Sequence, residues 1–152
     1  MFVVDSNANV HSQNFTGAVP SGEDVNGMFG AGPMYTFSSS WFDAHSVWLG
    51  CQNAGPRYCQ LLINGFGLDD TSQTSVLKYE QYFYQEPCPS LTNCQLMYVE
   101  FDQGAFQNLT ALQVVATVFG DEADTPLAWY MDDLTLSWSD NSCAAAVHRS
   151  GG

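Results

Sequence analysis

The stretch "WYMDDLTLSW", Trp129–Trp138, decides how this chain is read. Aromatic and aliphatic residues on both sides of Asp132 and Asp133 give it the composition of a β-strand, and no Lys or Arg lies within ten residues of it. Side chains alternate between the faces of a strand. Tyr130, Asp132, Leu134, Leu136 and Trp138 therefore share one face, and Trp129, Met131, Asp133, Thr135 and Ser137 share the other. Asp132 falls on the more apolar face. A carboxylate taken out of water needs a cation, hydrogen-bond donors or a proton, so Asp132 is the residue from which the reading starts.

The whole chain has 152 residues, of which 45% are hydrophobic and 14% aromatic. That is enough for one domain with a sizeable core, and too apolar for a disordered segment. Three basic residues, Arg57, Lys78 and Arg149, face sixteen acidic ones, for a formal charge of −13. Such a charge repels phosphate backbones and anionic lipid headgroups, which excludes nucleic acid and membrane surfaces as expected partners. Three cations can neutralise few of the acids. The remaining carboxylates must be solvated, hydrogen-bonded or bound to metal, and the plainest reading of most is a solvated surface that keeps an extracellular protein in solution. No apolar run reaches transmembrane length.

Two cysteine pairs lie close in sequence, Cys51 with Cys59 in "CQNAGPRYC" and Cys88 with Cys94 in "CPSLTNC". Both suit local disulfides at hairpin ends. Zinc would call for tighter pairs and a defined His pair, whereas His11, His45 and His148 are scattered. Cys143 is left over, to pair with a residue beyond this chain, with another molecule, or in place of one of the local pairings. The acceptor triplets "NFT" at Asn14 and "NLT" at Asn108 agree with the secretory route. "MFVVDSNANV" has neither a basic start nor a long apolar run, so it is not a signal peptide, and the expectation is a domain of a larger secreted, multidomain chain.

Residues 1–33 are dominated by Asn, Ser, Gly, Asp and Pro and read as an irregular entry segment packed on the domain. From Met34 the character changes to runs such as "SVWLGCQ", "YCQLLINGFG", "SVLKYEQYFYQ" and "LTALQVVATVFG", bounded by Gly, Pro, Asn and Asp turns. The alternation Leu112, Val114, Ala116, Val118 makes the last of these a strand rather than a helix. Residues 34–140 are thus expected to form an antiparallel β-sandwich, with Phe119 and Trp138 in its core, and 141–152 a tail with a short turn of helix and a flexible end.

The pattern of an aromatic, an apolar residue, Asp-Asp and alternating apolar residues, "YMDDLTL", resembles the closing strand of galactose-binding-like jelly rolls, the fold of many carbohydrate-binding modules. The wider layout from about Tyr35 to Arg149 is similar to an uncharacterised domain of secreted or wall-associated fungal proteins. In the carbohydrate-binding jelly rolls a structural calcium ion commonly sits at one edge of the sandwich, between this strand and the N-terminal segment. The resemblance implies Asp132, with Asp133, as strand ligands to Ca2+, and Glu23 and Asp24 as candidates for the second contribution. Oxygen ligands at flexible geometry are what calcium takes; without metal, Asp132 would instead accept backbone N–H groups.

A sugar would be recognised by aromatic faces with polar groups fixing its hydroxyls. The expected ligand-binding residues are Trp41, Trp48, Tyr82, Tyr84 and Trp129, although core packing is the commoner fate of each residue type. Catalytic signals are sparse. The carboxylates show no separation in sequence that fixes the about 5 to 9 Å of a glycosidase pair. His45 has no G-x-S-x-G elbow to serve, and Cys143 with His148 sits in a tail ill suited to holding catalytic geometry. The reading is a non-catalytic extracellular adhesion or binding module, secreted and associated with a cell wall, that recognises carbohydrate. A structural or self-association module is the alternative, and a glycan-active hydrolase the second.

Overall fold

The computed structural model describes residues 2–5, 15–19, 27–31, 34–102 and 104–151. Along them run the strands β1 (Phe2–Asp5), β2 (Phe15–Val19), β3 (Gly27–Gly30), β4 (Phe42–Cys51), β5 (Cys59–Asp69), β6 (Thr74–Gln85), β7 (Met97–Glu100), β8 (Ala111–Val118) and β9 (Trp129–Trp138), followed by the helix α1 (Cys143–Arg149). One sheet has the order β1-β2-β9-β4-β7 and the other β3-β8-β5-β6, with every neighbouring pair antiparallel. From β2 onward the eight strands follow the two interlocked Greek keys of a jelly roll, and β1 is added outside β2. The expected all-β sandwich is therefore what the chain forms.

Segment 1–33 departs from expectation. Its composition predicts an irregular segment, yet it supplies β1, β2 and β3. These strands are four or five residues long, two of them contain glycine, and they carry little pattern of their own. Their pairing comes from partners distant in sequence, β9 for β2 and β8 for β3, and such tertiary pairing overrides local propensity.

Strict alternation builds most of the core. Cys59, Leu61 and Ile63 of β5 and Leu112, Val114 and Ala116 of β8 are buried, with outward-facing neighbours between them. Phe106 and Leu109, from the connection between β7 and β8, complete the core at 1% and 0% exposure. Gly65 makes room for them: a Cβ there would lie 3.0 Å from Leu109 and 3.1 Å from Phe106. Disulfides form at both expected pairs. Cys51–Cys59 ties the end of β4 to the start of β5 and so joins the two sheets, while Cys88–Cys94 closes the loop between β6 and β7. Cys143 is free and exposed.

In β9 the simple alternation fails. Trp129 and Met131 point into the core, whereas Asp132 pairs with Trp48 on the outward face. Between that pair and Thr135–Ser46, β9 carries one residue more than β4. The extra residue is Asp133, at φ 48°. It is a β-bulge, and it reverses the facing of the second half of the strand. Leu134 now packs on the core, and Leu136 and Trp138 pair with the core residues Ala44 and Phe42. A second irregularity, where β4 carries His45 between Ala44 and Ser46, restores the register. The core face of the first half is thus Trp129 and Met131, opposite to the face expected from sequence.

Trp138 and Phe119 are not core residues, being 47% and 48% exposed. Trp138 ends β9 where the sandwich opens, and Phe119 lies just beyond β8. The tail is likewise better anchored than expected. The Ser142 side chain caps α1 by accepting from the Ala145 N–H. The Ser142 N–H donates to Asp140 at 2.9 Å, which holds the Asp140 carboxyl below its ordinary range. Arg149 donates to the carbonyls of Ser39 and Asp140, and its guanidinium stacks 4.5 Å from the centre of the Trp138 ring.

The bulge gives a direct test. Left-handed backbone costs a β-branched residue about 1–2 kcal/mol and glycine little. Urea denaturation should show Asp133→Val destabilised by roughly that amount and Asp133→Gly within about 1 kcal/mol of the parent. Equal stability of the two variants would contradict the bulge.

Candidate functional site

The aromatic residues expected to bind ligand are distributed over four separate places. Trp129 is 1% exposed and part of the core, so it cannot offer a face to a ligand. Trp41 is half-buried, with Nε1 donating to the Tyr35 carbonyl at 2.8 Å. Tyr82 and Tyr84 stand side by side on the outer face of β6, 47% and 46% exposed, and Tyr84 meets Phe119 edge-on with ring centres 5.0 Å apart. Trp48 lies on the outer face of the other sheet, half-buried.

Asp132 is buried, and its Oδ1 accepts the Asp133 N–H at 2.9 Å. That N–H belongs to the bulged residue, so the carboxylate serves a backbone donor displaced from regular ladder pairing. Asp133 is exposed. Glu23, Asp24 and Asn14 lie outside the described residues. Among the described residues, no three His, Cys, Asp or Glu side chains gather where they could hold a metal ion. Of the implied calcium ligands the described residues thus supply only Asp132 and Asp133, the second being the bulged residue itself, and by themselves they do not complete a calcium site. Asn108 is exposed in a left-handed turn, its N–H donating to Asp43.

Around Trp48 the strand registers assemble a surface not recognised from sequence. Trp48 pairs with Asp132 on one side and with Tyr98 on the other; one row along, Ser46 pairs with Thr135 and Glu100. The Trp48 and Tyr98 rings pack 5.3 Å apart, leaving Tyr98 49% exposed. The Tyr98 hydroxyl donates to Glu100 at 3.3 Å. Beside this edge opens a cleft of about 470 Å³, lined by Asp43, His45, Ser46, Tyr98, Glu100, Asp102 and Gln107 among others. One aromatic wall with a ring of polar groups is the arrangement that small polar ligands use. The sequence did carry a signal: in "MYVE" the buried Val99 is flanked by Tyr98 and Glu100, which alternation turns to the opposite face.

A larger groove, about 720 Å³, opens at the end of the sandwich between Met34, Phe42, Leu136, Trp138, His148 and Arg149. Its polar groups are already engaged. His148 Nδ1 lies 2.6 Å from the Ser39 hydroxyl, and Arg149 is held by carbonyls and Trp138. It is the seat of α1 more than an open polar site. His45 Nε2 lies 2.7 Å from the Ser137 hydroxyl at the margin of the smaller cleft, a contact from which serine chemistry could start only with a group to orient the imidazole and donors for an oxyanion.

Comparison with known proteins adds family and fold. No curated protein matches the chain. A DUF4465 family protein from Bacteroides caccae, known from a crystal structure, is similar with a TM-score of 0.53 and 12% identity, over 88% of this chain and 68% of that one; at such identity the likeness shows the fold. The family model for a domain of unknown function, DUF7371, matches residues 1–149, and the chain belongs to the DUF7371 family.

Proposed function

We propose that this domain is a non-catalytic extracellular module that binds carbohydrate in the cleft beside Tyr98. The observation that carries the reading is the exposed Tyr98 ring, backed by Trp48 and facing a cleft whose other walls are carboxylate, imidazole and amide groups. A pyranose has an apolar face for the ring and hydroxyls for the polar groups. Secretion is supported by the two disulfides, which persist in oxidising compartments. Among the described residues no helix is long and apolar enough to cross a membrane. A role in adhesion to a cell wall or to host glycans, and a fungal origin, follow from the resemblance of the closing strand and the wider layout, and belong to the same proposal.

The test is a glycan array followed by titration calorimetry, on protein made without N-glycans because Asn108 adjoins Gln107 of the cleft. Tyr98→Ala should weaken the strongest hit at least tenfold, about 1.4 kcal/mol, while Tyr82→Ala leaves it unchanged. Absence of any glycan hit would sink the reading.

Structural calcium at Asp132 and Asp133, completed by Glu23 or Asp24, is proposed on the burial of Asp132 and the excess of acids. Melting curves with calcium and with a chelator decide it: a metal that binds the native state raises Tm by mass action, and an unchanged midpoint removes it.

Self-association is a second reading with its own observation. Strand β6 is twelve residues long and lies at the edge of its sheet, bearing the exposed Leu77, Tyr82 and Tyr84. Long apolar edges invite pairing between chains. Sedimentation velocity should then show concentration-dependent dimers that Tyr82→Lys abolishes, and a monomer at all concentrations would exclude them.

A further inference from the structure

The cleft beside Tyr98 has a sign as well as a shape, and the inference drawn from it rests on the carbohydrate reading above. None of the three basic residues lines it. Arg57 donates to the Gly120 carbonyl, Lys78 lies over Gly67 and Arg149 is stacked on Trp138. Three carboxylates do line it, and they are not equivalent. Asp43 Oδ1 already accepts the Asn108 N–H at 2.9 Å and the Ser139 hydroxyl at 2.5 Å, so it braces the turn. Glu100 accepts a Tyr98 hydroxyl at 3.3 Å, and Asp102 a Gln81 amide at 3.4 Å. Both are exposed and keep acceptor capacity toward the cleft, since an ionised carboxylate has about four lone-pair sites.

These two acids line the same cleft as the exposed Tyr98 ring. A protonated amine placed there meets the negative face of Tyr98 and one or two carboxylates together. A uronic acid or sulfated sugar placed there meets like charge from the lining carboxylates, in a chain of net charge −13. We propose that the cleft selects glycans bearing free amino groups, the glucosamine polymers, over their uncharged N-acetylated counterparts, and rejects anionic glycans. Glu100 and Asp102 supply the selection and Tyr98 the platform.

The test is titration calorimetry at mildly acidic pH, where sugar amines are protonated. The probes are the β-1,4-linked hexamers of glucosamine, N-acetylglucosamine and glucose, and the hexamer of galacturonic acid. The glucosamine hexamer should bind at least tenfold tighter than either uncharged hexamer, with no detectable binding of the galacturonate. The preference should shrink severalfold in Glu100→Gln/Asp102→Asn and in about 0.5 M salt. It should survive in Glu122→Gln/Asp124→Asn, which removes the same charge from the exposed turn after β8. Uncharged hexamers binding as tightly as glucosamine would overturn the selection and leave the carbohydrate reading standing. Equal losses in the two double variants would reduce the effect to bulk charge and overturn it as well. If no hexamer binds and the glycan array is also blank, the carbohydrate reading itself fails.

Discussion

The bulge at Asp133 is the constraint on which the rest of the arrangement depends. Strand β9 lies between β2 and β4 near the middle of its sheet, so its facing governs both neighbours. Without the extra residue, a strand that buries Trp129 and Met131 would turn Leu134, Leu136 and Trp138 outward and Thr135 and Ser137 inward. With it, Trp129, Met131 and Leu134 all pack on the core, and Leu136 and Trp138 pair with Ala44 and Phe42. Asp132 occupies the last outward position before the reversal and accepts the N–H of the bulged residue. The matching irregularity in β4 at His45 keeps the ladder paired from Phe42 to Cys51. It also places the imidazole beside the cleft.

Much of the fold was legible because it rests on period-two patterns. Leu61, Ile63, Leu112 and Val114 alternate cleanly and are buried as the pattern requires. The spacing of Cys51 with Cys59 and of Cys88 with Cys94 predicted both disulfides. The failures have physical causes. A bulge leaves no mark in a binary pattern, since Asp tolerates left-handed backbone without announcing it; hence the inverted face of β9 and the misplaced Trp138. Short Gly-containing strands such as β3 exist by virtue of their partners. Nor does size decide burial at a strand end, where Trp138 instead becomes the stacking surface for Arg149.

The candidate site was less legible than the fold, since its residues meet only through strand register. Trp48, Tyr98, Glu100 and Asp132 span 85 positions of sequence, yet they occupy two adjacent rows of three neighbouring strands. Reading aromatics one at a time singled out Trp48, which lies on this surface. It also selected Trp129, which is in the core, and Tyr82 and Tyr84, which lie on the other sheet. Tyr98 escaped notice because the alternation in "MYVE" rests on one buried residue, Val99, and its two neighbours.

The acid excess can now be given a mechanical account. With only three cations available, many of the aspartates are held by backbone N–H groups instead. Asp69 accepts the Ser72 N–H, Asp140 that of Ser142, Asp43 that of Asn108 and Asp132 that of Asp133. Asp121 takes the Thr125 hydroxyl and the Ala123 N–H. Donors of this kind favour the ionised carboxylate, and they hold Asp69, Asp121 and Asp140 below the ordinary carboxyl range. Short aspartate side chains suit the task because Asp69, Asp121, Asp132 and Asp140 reach N–H groups of their own turns. Excess negative charge is therefore not by itself a sign of metal in this chain. Glu100 and Asp102 differ from these in lining a concave surface without bracing a turn by their side chains.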